Sequence, residues 1–565
     1  MPGTKYPSVK IRCQTSNVDL DPDAESDERE NLIDGKIVVL KAQLPKYGKD
    51  TSAIYSFDEA MALVGNGKFQ SALLLITGIC LLSVIVETGV VGFYAIVARC
   101  DLGFTTQEQG ILSSAAYAGI VIGSYPWGYL SDTIGRLKVI KIATIGGLIA
   151  SIISAFSNSV GMLIAFRLIV GIFIAGTQGS VFSYLGEFHS IKTRTKAVTL
   201  LSAFVTLGFT FTPALAIGIL PLSIGGEIYG GEFSSWRLYG ILATIPSIIG
   251  LIILPFLPES PKYLLTVGKS EEALEVLRLL FRINKGLPKE EFPVHVLAKI
   301  DNSAHSSKEG FIGRMKQIVK HTGRMFERSR ILVSLNLLFQ MFGIYLVSHG
   351  LYMWFPNILA WMVKHIDEDV TVYDVTQMEQ HGDASNTTTN TTECNSLVNV
   401  FTYEVLTVMG LVYTASYIVI GLLIKTIGKR MILGGWLLAC GIAGIALYWA
   451  RGFYLCAVLF IIFIGTGNCG GIVCTISVDY FPTEISALAM CLIMLIGRLG
   501  VVVGSNIYGL ILEENCNILF YGLGSLVVIL AILAMFLPND KKQKKKTKDS
   551  SAENGEIRDN YDTRF

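Results

Sequence analysis

Apolar runs long enough to cross a lipid bilayer take up most of this chain, with short polar loops between them. Crossing the hydrocarbon core as a helix needs about 20 consecutive apolar residues. About twelve runs reach that length, near 70–98, 110–131, 139–158, 161–186, 198–221, 237–257, 331–356, 403–424, 431–450, 453–478, 488–511 and 518–537. A lone span in lipid has no water to satisfy its backbone, so each must close its own hydrogen bonds as a helix. Gly and Pro interrupt several runs, which spanning helices tolerate. The expected fold class is therefore all-α and integral to the membrane. Charge is scarce to match: 16% of residues are Asp, Glu, Lys or Arg, against roughly 25% in soluble domains.

One loop occurs twice. Gly128-Tyr-Leu-Ser-Asp132-Thr-Ile-Gly135-Arg136-Leu-Lys138 joins the second run to the third. Gly421-Leu-Leu-Ile-Lys425-Thr-Ile-Gly428-Lys429-Arg430 joins the eighth to the ninth, with Lys425 where Asp132 stands. The repeat divides the chain into two six-helix halves, 69–257 and 331–538, joined by a charged linker, 258–330. Within the linker, Leu274, Leu277 and Leu280 have helical apolar spacing. Residues 1–68 form a polar tail, acidic between Asp19 and Glu30, with a composition that predicts disorder to about Tyr55. From Tyr55 to Phe69 the pattern is that of a short amphipathic helix leading into the first span. That first span is the expected internal targeting signal.

Charge sets the expected topology. Arg136, Lys138 and Lys141, then Lys192, Arg194 and Lys196, then Lys425, Lys429 and Arg430 crowd loops on one side, and Lys541–Lys548 adds a basic run in the tail 539–565. By the positive-inside rule these loops and both termini are cytosolic. The 357–402 insertion then faces outward, where Asn386-Thr-Thr and Asn390-Thr-Thr are N-glycosylation sequons. Cys100, Cys394 and Cys516 fall on the same oxidising side, where a disulfide among them can form. Several pairings stay open.

The first copy of the loop fits the G-x-L-x-D-x-x-G-R-x-K signature of major facilitator transporters. Arg167-Leu-Ile-Val-Gly171, Tyr184-Leu-Gly-Glu187, Pro258-Glu-Ser-Pro-Lys262-Tyr-Leu264 and Asp479-Tyr-Phe-Pro482-Thr-Glu484 resemble signatures of the branch holding sugar porters and organic-ion transporters. Within it, Gly65-Asn-Gly-Lys-Phe-Gln70, Cys100-Asp-Leu, Gly350-Leu-Tyr-Met-Trp354-Phe-Pro356 and the outer sequon-bearing loop resemble the synaptic vesicle glycoprotein 2 family. The outer loop is much shorter here than the large lumenal domain of the vertebrate vesicle proteins. The resemblance implies secondary transport of a small organic solute by alternating access. It also implies a cytosolic gate built from Gly128, Asp132, Gly135, Arg136, Lys138, Glu187 and Arg194. A vesicle glycoprotein with a trafficking or scaffolding role is the competing expectation. Where sugar porters show Q-Q-x-x-G-x-N, this chain has Phe339-Gln340-Met-Phe-Gly343-Ile-Tyr345. Ser202 and Cys474 stand near the positions of the expected Gln and Trp. Losing three polar or stacking positions favours an organic ion over a hexose.

Two charges lie where lipid makes them costly. Glu87 is central in the first run and Arg498 in the eleventh, each at a cost of about 2.5–3.5 kcal/mol or more if left facing lipid. A cavity or a mutual ion pair is expected to offset that cost. Glu87 is a candidate site for a coupling proton or cation, and Arg498 for an anion. Asn336 and Gln340 share one face of the seventh run, and with Tyr345 they complete the expected substrate pathway. His349 fits a packing role, and Trp354 an interface anchor. There is no Walker A motif, no clustered set of metal ligands and no nucleophile–base constellation. Gradient energy is expected, with no enzyme activity, cofactor or metal. Net charge is +1, and no nucleic-acid partner is expected. The basic tail suits anionic lipid. Glu28-Arg-Glu-Asn-Leu32-Ile33 fits an acidic dileucine signal for a clathrin adaptor, which predicts vesicle or endosomal membranes together with some plasma-membrane protein.

Overall fold

The computed structural model describes residues 54–298, 323–383 and 399–538, except 223, 225–226, 229–230, 482 and 515. It also describes two short strands, Leu32–Ile33 and Lys36–Ile37, which pair antiparallel. These strands belong to a separate unit, Met1–Ala53. Glu28, Asn386, Asn390, Cys394 and the basic tail lie outside the described residues.

Ten helices among the described residues are long and apolar enough to cross a membrane. In the first half they are span 1 (Lys68–Leu102), span 3 (Arg136–Ala155), span 4 (Val160–Glu187), span 5 (Lys196–Ile219, within the longer helix Ile191–Ile219) and span 6 (Ser235–Phe256). In the second they are span 7 (Ile331–Lys364), span 8 (Val400–Ile424), span 9 (Lys429–Ala446), span 10 (Phe453–Tyr480) and span 11 (Leu488–Ile511). The runs at 110–131 and 518–537 are helical too, as span 2 (Thr106–Ile134) and span 12 (Cys516–Ala534). Ser, Gly and Tyr dilute the first of these. Span 6 breaks at Ala243–Thr244, and span 10 tightens into a 3-10 turn at Gly465–Asn468.

Small residues decide how closely the spans pack. A methyl group on Gly171 of span 4 would stand 2.0 Å from the Ala116 carbonyl oxygen of span 2. The two halves meet in the same way toward the end remote from the repeated loops. A methyl on Gly92, Gly110 or Gly410 would stand 2.6–3.1 Å from the carbonyl oxygen of Met353, Ser505 or Phe209 in the other half. Asn506 donates to Ser114 Oγ at 3.0 Å near the same end.

A lead-in helix, Phe57–Val64, precedes span 1. Ser56 and Glu59 cap it reciprocally, each backbone N–H donating to the other's side chain. Its buried face, Phe57, Ala60, Met61 and Val64, packs in one cluster with Leu277 and Leu280 of the linker helix Ser270–Lys285. Asn284 closes the joint, donating to Gly65 O at 3.0 Å and accepting from Phe69 N at 3.1 Å. Ile54–Tyr55 adds a short parallel pairing with Val296–Leu297.

Candidate functional site

The first repeated loop is the centre of a polar network. Span 2 ends and span 3 begins around Gly135, whose φ of 111° disfavours any residue with a Cβ. The turn carries Arg136 back over the end of span 2, where it donates to Ser131 O at 3.1 Å and pairs with Asp132 at 3.0 Å. Its Nε also reaches Glu187 at the end of span 4, at 3.2 Å. Ser260 donates to the other Glu187 oxygen at 2.5 Å. Glu187 is only 8% exposed and Asp132 48%, so the Glu187 pair is the better shielded of the two.

Glu259 and Tyr263, which lie outside the expected gate residues, join this network. Glu259 accepts from Leu137 N at 3.0 Å and Lys138 N at 3.4 Å, putting a carboxylate at the start of span 3. Tyr263 OH donates to Thr133 O at 2.8 Å, and its ring lies under the Arg136 guanidinium at 5.1 Å. The signal was the Pro258-Glu-Ser-Pro segment, an acidic and hydroxyl-bearing turn directly after a span. Lys138 contributes its backbone N–H to this network, while its side chain is exposed. Arg194 is exposed and lies over Gly186, beside Glu187. Gly128 makes no close helix approach: among the described residues a Cβ there would meet nothing within 4 Å. The close approaches between spans 2 and 4 fall instead at Gly119, Gly123 and Gly171.

The second loop has the same backbone and, among the described residues, fewer partners. Gly428 has φ 95° and ψ 147°, beside 111° and 150° at Gly135. Lys429 takes the place of Arg136 and pairs with Asp479 near the end of span 10. Gly428, like Gly135, offers no side chain of its own to cap the following helix.

Inside the bundle, Glu87 has a different partner from the one expected. Its Oε2 accepts from Arg167 Nη1 at 3.0 Å and from Ser151 Oγ at 2.9 Å. Arg167 also donates to Ser154 Oγ at 2.9 Å and stands over the Tyr94 ring at 5.6 Å. Spans 1, 3 and 4 thus enclose the ion pair within the first half. Arg167 is nearer than Arg498 because spans of one half pack against each other directly. Glu87 Oε1 and Arg167 Nε have no hydrogen-bond partner among the described residues.

Arg498 reaches across to the other half. Its guanidinium donates to Ser124 Oγ of span 2 at 2.9 Å and to Gln178 Oε1 of span 4 at 2.7 Å. All three residues are half-buried. Tyr345 is close by, its ring 2.9 Å from where a Cβ on Gly497 would lie. It stacks on His349 at 4.4 Å and donates to Met494 Sδ at 3.9 Å. His349 also meets Ser348 Oγ at 2.9 Å, and Phe209 of the first half at 6.0 Å between ring centres.

Asn336 and Gln340 are not brought to this centre. Asn336 donates to Leu533 O at 2.8 Å and Gln340 to Leu530 O at 2.6 Å. They share a helix face, as their spacing requires, but that face packs on span 12. Trp354 is also placed differently from expectation: it is buried and donates to Ser505 O at 3.0 Å. Cys100 is disulfide-bonded.

Helices in this order, with a gate-like loop in each half, define the major facilitator fold. The xylose transporter XylE from E. coli, in a partially occluded inward-open conformation, superposes with a TM-score of 0.59 at 14% identity, covering 83% of this chain and all of that one. A bacterial homologue of the human lysosomal transporter Spinster gives 0.56 at 15% identity, covering 84% and 98%. Residues 52–349 match the family described as Sugar (and other) transporter, and 387–560 match the Major Facilitator Superfamily. The first match covers more than half of the chain, which therefore belongs to the sugar (and other) transporter family.

Among its relatives, mouse (Mus musculus) synaptic vesicle glycoprotein 2C is 29% identical over 340 residues, 54% of this chain and 44% of that protein. Human (Homo sapiens) synaptic vesicle glycoprotein 2B is 28% identical over 328 residues, 54% and 48%. Rat (Rattus norvegicus) synaptic vesicle glycoprotein 2A is 32% identical over 236 residues, 41% and 32%. The matches thus span less than half the length of these relatives.

Proposed function

We propose that this protein is a secondary active transporter of a small organic ion, working by alternating access between its two halves. The observation that carries the reading is the Arg498 bridge. A charged side chain at mid-depth in one half makes its hydrogen bonds to the other half. A substrate held between the halves lies within reach of this group. The sugar-transporter family and the xylose-transporting neighbour support transport of a small solute.

Glu87 supplies the coupling site in this reading. A buried pair stays charged only while both partners are present. A proton added to the carboxylate removes half of the pair and releases Arg167 toward Ser154 and Tyr94. Oε1, buried and without a hydrogen-bond partner among the described residues, is the oxygen that would take that proton. The Asp132–Arg136–Glu187 network then biases the cytosolic end of the first half between its two states, with Gly135 fixing the turn. Proton-driven uptake into proteoliposomes tests the reading. Glu87→Gln is expected to abolish accumulation under an imposed pH gradient while exchange at equal pH continues. Unchanged gradient-driven accumulation in Glu87→Gln rules out the coupling role.

A vesicle location is proposed beside it, supported by the vesicle glycoproteins among the relatives. Leu32 and Ile33 lie in an extended segment, the shape an adaptor pocket requires of a dileucine signal headed by Glu28. Replacing both by Ala is expected to raise surface biotinylation. Replacing Asn386 and Asn390 by Gln is expected to remove a glycosidase-sensitive mass shift, which also tests the outward placement of 357–402.

A further inference from the structure

We infer that Arg498 is the anchor of an anion site, and that the transported solute is a small organic carboxylate. The inference rests on the transport reading and narrows its substrate class. Glu87, the acid expected to neutralise Arg498, is bound by Arg167. Among the described residues no carboxylate pairs with Arg498. Its direct partners are the neutral Ser124 and Gln178, and the side chains within electrostatic reach are Tyr345, Tyr117 and Cys491. A guanidinium at mid-depth with only neutral partners leaves a full positive charge between the halves. The first half shows the alternative, where Arg167 has a carboxylate of its own.

The geometry also gives the site a working cycle. A guanidinium holds a carboxylate through two parallel N–H donors. Here two of its nitrogens, Nη1 and Nη2, are occupied by the first half. A carboxylate that takes both donors releases Ser124 and Gln178, so binding itself undoes a link between the halves. It also neutralises the charge before that charge changes its surroundings. Tyr345, within electrostatic reach of Arg498, adds an aromatic ring to the same site. With no anion bound, the bridge holds the halves together and limits uncoupled cycling.

The test uses the full chain purified into nanodiscs, with thermal unfolding read against acetate, benzoate and succinate, and against tetraethylammonium and xylose. At least one carboxylate is expected to raise the melting temperature of the wild type by a few degrees, and the last two probes to leave it unchanged. Arg498→Lys keeps the charge but loses the fork, and is expected to bind that carboxylate about tenfold more weakly. Arg498→Gln is expected to lose the shift, with Arg498→Lys carrying the test if Arg498→Gln does not fold. No shift from any carboxylate, or a shift equal in wild type and both variants, overturns the inference. A shift from tetraethylammonium or xylose alone also overturns it and leaves the transport reading standing. A carboxylate shift that needs Arg498, without uptake of that carboxylate into proteoliposomes, upholds the site and overturns transport.

Discussion

The two halves repeat one loop on one backbone, yet they secure it very differently. Gly135 and Gly428 have nearly the same φ and ψ, and each is followed by a basic residue that reaches an acid near the end of a later span. In the first half that basic residue is one strand of a net. Arg136 meets Asp132, Glu187 and Ser131, while Glu259 caps the next helix and Tyr263 lies beneath. In the second half the contact among the described residues is Lys429 with a half-exposed Asp479. The interior follows the same division: Glu87 and Arg167 neutralise each other in the first half, and Arg498 of the second makes its bonds across the divide. Repetition preserved the turn, which the backbone requires, and not the network, which depends on side chains from elsewhere. The comparison casts the first half as the pre-assembled body and the second as the half free to re-form its contacts.

The interior charges offer the largest contrast. Glu87→Gln leaves Arg167 buried without its counter-charge and is expected to cost about 3–5 kcal/mol. Arg498→Gln removes a charge that has no counter-ion and is expected to cost about 1–2 kcal/mol for its two hydrogen bonds. Thermal unfolding of the two variants measures the difference. The double change Glu87→Gln with Arg167→Gln is expected to recover most of the stability and none of the coupling. Similar losses for Glu87→Gln and Arg498→Gln would break the comparison.

The glycines come next. Alanine at either position pays about 1–2 kcal/mol for the left-handed backbone. At Gly135 it also meets Glu259 Oε2 at 2.5 Å, whereas at Gly428 nothing lies within 4 Å. Gly135→Ala is therefore expected to lose the cap as well, about a further 1 kcal/mol, and to lower transport more. Equal melting temperatures for the two variants would show that the first turn is no more tightly held than the second.

A smaller effect separates the two acids. Glu187→Gln removes a charge that is 8% exposed, and Asp479→Asn one that is 47% exposed. Screening by water leaves the second worth about 0–1 kcal/mol, and the first is expected to exceed it. The order of the two stability losses, and their persistence in high salt, checks this.

How much of this was legible in the sequence depends on the range of each constraint. Spans are written locally, because lipid demands an unbroken apolar helix, and the major facilitator fold followed from them and the repeated loop. The pairing of interior charges was not written locally. Glu87 and Arg167 are 80 residues apart, and the choice between Arg167 and Arg498 is made by which spans pack in one half. Arg167 did carry a signal, as an arginine inside an apolar run, but it was read only as part of a family motif. The spacing of Asn336 and Gln340 correctly gave a shared face. It could not say whether that face met a cavity or span 12, since both suit an amide. Glu259 was hidden for another reason: its role is to cap a helix that begins 123 positions earlier in the chain, around Arg136.

The smallest effect tests whether the second loop can be rebuilt. Asp132 near the end of span 2 and Arg136 at the start of span 3 pair at 3.0 Å across the Gly135 turn. Lys425 and Lys429 occupy the same two positions of the second loop, so the repeat puts two positive charges where the first half has opposite ones. An exposed ion pair across such a turn is worth about 0–1 kcal/mol, and like charges there carry a cost of similar size. Lys425→Asp exchanges one for the other and is expected to raise stability by up to about 1 kcal/mol. It is also expected to slow turnover, because Lys429 then has two acids to leave when the second half rearranges. Lys429→Ala in the same background is expected to cancel both effects. If Lys425→Asp gains stability and transport is not slowed, a secured loop does not restrain the second half, and the assignment of rigid and mobile halves falls.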